Sequence, residues 1–308
     1  MLDLIIIGGG PAGVAAGVYA SRKQLKTELI TKEWGGQSVV SPDIQNWIGT
    51  ISISGNDFAE ALKQHLEAYK GDTLSITSGT LVSKIEKTDS GFSVTLENGE
   101  AREARAVLIT SGSHRRKLAV PGADTFEQKG LTYCASCDGP LFSGQDVVVV
   151  GGGNAGFETA AQLLAYVKSV TLLHRSPAFD KADPITVEKV LAHPNMTALK
   201  NAEPTEVLGE QFVTGVKYKD STTGDEKELA VTGIFVEIGL VPNTDLIKDL
   251  VKVDEYGRIE IDPWTQATSL PGIWAAGDCT NVRYHQNNIS AGDAVRALED
   301  IYIALRAR

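Results

Sequence analysis

Leu2-Asp3-Leu4-Ile5-Ile6-Ile7-Gly8-Gly9-Gly10-Pro11-Ala12-Gly13 is the stretch that decides the fold. Its apolar half reads as a buried strand. Ala12 to Arg22 reads as the helix that follows, with small residues on the side facing the sheet. Between them, Gly8-x-Gly10-x-x-Gly13 has the spacing of a dinucleotide loop. Gly8 allows the tight turn, Gly10 lets a pyrophosphate approach the backbone, and Gly13 lets helix and strand pack closely. The N-terminus of the helix then faces the phosphate charge. Glycine-rich turns are common, so one such loop is a weak signal. Here the strand–loop–helix context is right and the pattern occurs twice. Val147 to Val150 is a second apolar strand, Gly151-Gly152-Gly153-Asn154-Ala155-Gly156 a second loop, and Phe157 to Tyr166 a second helix. The competing reading is two ordinary tight turns.

The pattern extends outward from each loop. After the first come a strand at Thr27 to Thr31 and helical spacing from Phe58 to Tyr69. A three-strand meander follows over Gly79 to Lys87, Phe92 to Glu97 and Arg102 to Ile109, with Asn98-Gly99 as a hairpin turn. After the second loop come a strand at Val170 to His174 and an antiparallel pair around Thr222 to Asp225. A strand at Gly233 to Gly239 then leads into Leu240-Val241-Pro242. The remainder holds one buried strand, Ile273 to Ala276, and a helix, Ser290 to Leu305. The first unit lacks a strand and a helix, so this closing segment is expected to complete it, which makes the second unit an insertion. The expected architecture is α/β: two Rossmann-like dinucleotide-binding domains of the ββα, three-layer type, the second inserted into the first. The expected divisions are 1–112 and 240–308 for the first domain and 113–239 for the second.

Composition is that of a globular chain, with 42% hydrophobic and 22% charged residues among 308. The net charge of −10 argues against a nucleic-acid partner, which needs a basic stripe. Leu4 to Ile7 is too short and lacks the basic leader of a signal peptide, and no run approaches the length of a membrane helix. A cytoplasmic protein is expected. Three cysteines cannot build a disulfide framework. In a reducing compartment, two of them spaced as Cys-x-x-Cys indicate redox or metal chemistry.

That pair, Cys134-Ala135-Ser136-Cys137-Asp138, carries the most chemistry. Thiolates are the nucleophiles of disulfide exchange, and a neighbouring pair can close on itself to release product. Asp138 adds a carboxyl group able to move a proton to or from a leaving thiol. Half a zinc site is the first alternative, but no second Cys or His pair lies at ligand spacing. Two buried structural cysteines are the second, and Cys279, without a partner nearby in sequence, is assigned to that class. Two dinucleotide loops with one dithiol form an inventory in which a flavin accepts a nicotinamide hydride and reduces a disulfide. At the end of the second strand of each unit, where an adenosine ribose is read, stand Thr31-Lys32-Glu33 and His174-Arg175. A basic residue there suits a 2′-phosphate, which favours NADPH at the second loop; a solvated surface arginine is the competing reading.

With these residues in place, the chain resembles the low-molecular-weight thioredoxin reductase family, which includes the flavoprotein subunit of alkyl hydroperoxide reductase. The resemblance covers essentially the whole chain. It rests on both glycine loops, Gly35-Gly36-Gln37, Asn46-Trp47-Ile48-Gly49, Cys134-Ala135-Ser136-Cys137-Asp138-Gly139 and Ala275-Ala276-Gly277-Asp278. Val120-Pro121-Gly122, Thr132-Tyr133-Cys134 and Asp138-Gly139-Pro140-Leu141-Phe142 look closer to the peroxide-reductase flavoprotein.

The resemblance implies FAD in the first domain, with Gly36, Gln37 and Asn46 lining it, Asp278 after Gly277 on its ribityl chain and Gln286 near its ring. It implies NADPH or NADH at Gly151, Gly153, Asn154, Gly156, His174 and Arg175. Cys137 would face the flavin, Cys134 would attack the partner disulfide and Asp138 would be the acid. A homodimer with a swivelling inserted domain is implied, acting on a thioredoxin-like or glutaredoxin-like protein. The chain starts at its first strand, so the acceptor is expected to be a separate protein. The departures concern the nicotinamide. The NADPH members carry His-Arg-Arg where His174-Arg175-Ser176 stands, Asp180 precedes Lys181 near the later arginine position, and Gly156 replaces a common alanine. His285 stands where Arg or Lys is usual near the FAD phosphates. Activity with both cofactors and a mild bias to NADPH is the expectation. The alternatives are a reductase for a carrier that feeds a peroxidase, and a dinucleotide-binding module without disulfide turnover.

Overall fold

Leu4, Ile5 and Ile6 are wholly inaccessible to solvent, as both faces of a central parallel strand must be. In the computed structural model, which describes residues 1–41 and 43–306, they lie in β1 (Leu2–Gly9). The chain continues through α1 (Pro11–Arg22), β2 (Thr27–Trp34), α2 (Gly55–Glu67), β3 (Leu74–Ser78), β4 (Val82–Lys87), β5 (Phe92–Leu96) and β6 (Ala101–Ile109). After β7 (Ser113–Arg115) come β8 (Leu131–Thr132), α3 (Ala135–Asp138), β9 (Asp146–Val150), α4 (Asn154–Leu163), β10 (Ser169–His174), α5 (Pro184–Leu191) and β11 (Met196–Lys200). A meander, β12 (Ala202–Gly209), β13 (Val213–Asp220) and β14 (Glu226–Ala230), precedes β15 (Gly233–Val236), β16 (Leu240–Pro242), β17 (Ile273–Ala275) and α6 (Asn287–Arg306).

Two compact units result. One comprises Met1–Val40, Trp47–His114 and Val241–Arg308; the other comprises Ser41–Asn46 and Arg115–Leu240. Strands β7 and β16 pair as a separate two-stranded ribbon.

In the first unit the sheet runs β3-β2-β1-β6-β5-β4. Strand β6 is shared. Its first half pairs antiparallel with β5 (Phe92 opposite Ala104), and its second half pairs parallel with β17 (Ile273 opposite Val107). Helix α1 packs against α2 and α6 on one face. On the other face Ile5, Ile7 and Ile30 share a core with Val82, Ile85, Phe92 and Val94 of the meander. The closing segment therefore supplies this unit's missing strand and helix.

In the second unit the parallel sheet runs β11-β10-β9-β15-β8. Phe157, Ala160 and Leu163 of α4 cover one face, and Val207, Val213 and Val216 of the meander β12-β13-β14 cover the other. Helix, parallel sheet and antiparallel sheet make the three layers that the repeated pattern implied. No helix among the described residues is long and apolar enough to cross a membrane.

Candidate functional site

The two glycine loops have nearly the same geometry. Gly8 and Gly151 both have φ +124°, a region that side chains avoid. A Cβ on Gly13 would run into the carbonyl oxygen of Gly8, and one on Gly156 into that of Gly151. Each helix is thus seated on its strand at a distance that no larger residue permits. The middle glycines differ. Gly10 has only Gly36 backbone atoms at 4.0 Å and Gly153 has nothing within 4 Å, so both backbones are open to approach. Helices α1 and α4 start just after Gly10 and Gly153, with no capping side chain and no acid in the first turn. Their free N–H groups and positive dipole ends suit a diphosphate.

In the first unit a cavity of about 740 Å³ opens over the loop. Gly8, Gly10, Pro11, Ala12, Gly36, Gln37, Gly277 and Asp278 line it. Gly13, Asn46 and Gln286 are not among its lining residues; Asn46 belongs to the second unit. Sequence reasoning missed three polar contributors that fix the lining side chains. Ser113 accepts from Gln37 Nε2 at 3.0 Å, Ser290 donates to Asp278 Oδ1 at 3.3 Å, and Ser38 donates to Asn287 Oδ1 at 2.9 Å. Isolated serines carry no spacing signal. An uncapped helix end, a glycine cradle and a cavity of this size fit FAD.

In the second unit His174 ends β10 with its ring against Gly152, whose missing side chain leaves room for it. Its Nε2 is 2.8 Å from the Ala178 carbonyl, and its ring packs at 5.1 Å from Phe179. Arg175 follows, exposed. Lys200 is a further residue the sequence concealed. Parallel pairing sets it opposite His174, and its Nζ lies 4.9 Å above the Phe179 ring. Two cations therefore flank the end of β10. Asn154 Oδ1 accepts from the Asp183 backbone N–H at 2.7 Å.

Cys134 and Cys137 are joined as a disulfide, with Cα atoms 5.3 Å apart and both side chains half-buried at the start of α3. Pairing with each other rules out the zinc alternative for this state. Cys279 is a buried free thiol. Burial pushes it up to about 11, so it is inert. Asp138 is buried beside the pair. Burial raises its carboxyl above the usual range, the Thr132 hydroxyl and Arg115 oppose that rise, and Asp43 adds to it. A carboxyl whose acidity is weakened in this way is shifted towards the proton-donor role an acid needs.

Glu237, just past β15, was also missed. Its Oε1 accepts from Thr159 Oγ1 at 3.0 Å, and Arg115 Nη1 lies 3.7 Å from its Oε2. Burial pushes it up to about 7, against Arg115 and Thr159. A carboxyl raised on folding stabilises most below its unfolded value and loses that contribution as pH climbs through its folded value. From about pH 5 to pH 8 this one group therefore removes about 3 kcal/mol. Glu237→Gln is expected to flatten that part of the stability profile and to unfold at higher denaturant than wild type at pH 8. Urea melts of both proteins at pH 5, 6.5 and 8 check this, and parallel profiles would rule it out.

Comparison with known proteins identifies the assembly. Residues 2–296 match the pyridine nucleotide-disulphide oxidoreductase family. The chain is 40% identical over 295 residues to a Bacillus subtilis protein named NADH dehydrogenase, covering 96% of this chain and 57% of that protein. It is 41% identical to a Staphylococcus epidermidis protein named as a subunit of alkyl hydroperoxide reductase, with the same coverage. The chain thus spans just over half the length of these curated relatives. Its fold matches thioredoxin reductase from Streptococcus pyogenes MGAS5005 at a TM-score of 0.90 and 33% identity, covering 100% of this chain and 99% of that one. Thioredoxin reductase from Giardia duodenalis matches at 0.91 and 31%, covering 99% of each. The chain belongs to the pyridine nucleotide-disulphide oxidoreductase family, on its low-molecular-weight thioredoxin reductase branch.

Proposed function

We propose that the protein is an FAD-dependent disulfide reductase that takes electrons from NAD(P)H and delivers them, through Cys134 and Cys137, to a thioredoxin-like or glutaredoxin-like protein. The observation that carries this reading is the closed Cys134–Cys137 disulfide beside a buried acid, on a unit with its own glycine loop. Bound FAD supplies the change from hydride to electron pair that a disulfide needs. The first unit holds that group through the open N-terminus of α1 and its lining side chains; the second holds the nicotinamide donor through α4 and the end of β10. After reduction the Cys134 thiolate attacks one sulfur of the partner disulfide, and the expelled partner thiolate takes a proton from Asp138. The Cys137 thiolate then attacks Cys134, releasing the second partner thiolate and restoring the Cys134–Cys137 bond. Sulfur bonds balance, and the net change is one NAD(P)H and one proton consumed per dithiol formed. A cytoplasmic homodimer fits this chemistry.

A carrier that feeds a peroxidase is the second reading, favoured by the relatives named as alkyl hydroperoxide reductase subunits. Purified protein assayed with NADH, NADPH and a panel of thioredoxin-like and glutaredoxin-like disulfides tests both. Turnover with a thioredoxin supports the first and turnover with a peroxidase-coupled carrier the second. Bleaching of the flavin without turnover of any partner would remove both.

Cofactor choice follows from the cations at β10. Arg175 and Lys200 can hold a 2′-phosphate, while no acid stands at His174-Arg175-Ser176 to select a free ribose. Both cofactors are expected to work, with efficiencies within about tenfold of each other. Arg175→Ala is expected to raise the KM for NADPH by about tenfold, the order of one lost charge-assisted contact, and to leave NADH nearly unchanged. Unchanged NADPH kinetics in that variant would show that the adenosine end lies elsewhere.

A further inference from the structure

Thr132 is buried on the two-residue strand β8, where Phe235 of β15 is its neighbour. Its hydroxyl sits between the redox pair and the acid. The backbone N–H of Cys134 donates to Thr132 Oγ1 at 3.4 Å, and Oγ1 donates to Asp138 Oδ2. An amide can only donate, so the hydroxyl hydrogen is directed at the carboxyl group. Oδ2 is thereby fixed as an acceptor. The other oxygen, Oδ1, is buried with no hydrogen-bond partner among the described residues. A bare buried carboxylate oxygen is costly, and a proton on it removes most of that cost. Two charged groups influence this carboxyl, Arg115 favouring the ionised form and Asp43 the protonated one.

We propose that Thr132 is the positioning residue of the acid: its hydroxyl ties Asp138 Oδ2 to the Cys134 backbone and so assigns the transferable proton to Oδ1. This rests on the disulfide-reductase reading above. The proton on Oδ1 passes to the expelled partner thiolate, Asp138 is left ionised with Thr132 donating to it, and solvent returns the proton. The hydroxyl has a second effect. By stabilising the ionised form, it opposes the rise that burial gives the Asp138 carboxyl and so favours release of the proton.

Thr132→Val removes both hydrogen bonds with little change of shape. Asp138 should then hold its proton to higher pH. The alkaline limb of partner turnover should move up by about one pH unit, and turnover at pH 7 should fall about tenfold. Reduction of the flavin by NAD(P)H, which needs no thiol, should not change. Thr132→Ser keeps the hydroxyl and should restore both the limb and the rate. Thr132→Ala is the second probe if the valine variant folds poorly. A readout independent of turnover is the infrared carbonyl band of protonated Asp138, identified by its loss in Asp138→Asn. It should titrate higher in Thr132→Val than in wild type. An unmoved limb and band in the valine and alanine variants, or a serine variant no better than valine, overturns the proposal. A band that shifts while wild type turns over no partner upholds the role of Thr132 and sinks the function on which it was placed.

Discussion

Cys137→Ser is expected to stop turnover of every disulfide partner while leaving reduction of the flavin by NAD(P)H at its wild-type rate. The two half-reactions use different parts of the chain. The hydride step needs the glycine loops and their helix ends; the exchange step needs two sulfurs that can close on each other. A serine oxygen cannot form that bond, so loss should reach at least about a thousandfold, the order seen when a nucleophile is removed. Cys134→Ser should do the same by removing the attacking thiol. Neither variant should unfold. The bond closes a loop of only a few residues, and its entropic contribution is about 2 kcal/mol. Stopped-flow absorbance of the flavin, run beside a partner-reduction assay, measures both halves. Disulfide turnover surviving in both variants would show that the reducing equivalents leave by another route.

Gly13→Val is expected to yield protein with little or no FAD, and Gly156→Val to yield protein that keeps FAD yet is reduced poorly by NAD(P)H. In each case the added side chain meets the carbonyl oxygen of the strand's last turn, Gly8 or Gly151. The helix must back away from the strand, and its N–H groups move off the phosphates they are placed to hold. Overpacking of this kind costs about 1–3 kcal/mol, which is roughly 5- to 150-fold in affinity. Flavin-to-protein absorbance ratios after gel filtration check the first variant, and nicotinamide titrations of flavin colour check the second. Full FAD content in Gly13→Val, or normal reduction in Gly156→Val, would mean that the loops hold something else.

What could be read from the sequence was what local sterics dictate. Gly13 and Gly156 are demanded by the backbone five residues before them, and Gly8 and Gly151 by their own φ of +124°, so both strand–loop–helix units stood out. The meander strands showed because Asn98-Gly99 turns the chain between runs that alternate. What stayed hidden was what distant partners decide. β8 is a strand only because Leu131 and Thr132 lie beside Ile234 and Phe235. β3 buries only Leu74 fully, so it shows no apolar face. α5 buries only Val190, and β11 only Met196. Thr132, Lys200 and Glu237 acquire meaning from neighbours far along the chain, and no spacing announces them. The segment Ser41–Asn46 follows the first unit's sequence yet clusters with the second.

The shared strand β6 also bears on how the molecule is made. Its second half waits for β17, which is synthesised only after the whole inserted unit. Nearly all of that unit is one continuous stretch, so it can close its own sheet while β6 still has an open edge. Contacts this far apart in sequence form slowly, because a long loop must close before they are rewarded. Translation therefore reverses the order of the genetic message: the unit begun second is finished first. The unit begun first stays an incomplete sheet, with an open edge on β6, until β17 leaves the ribosome.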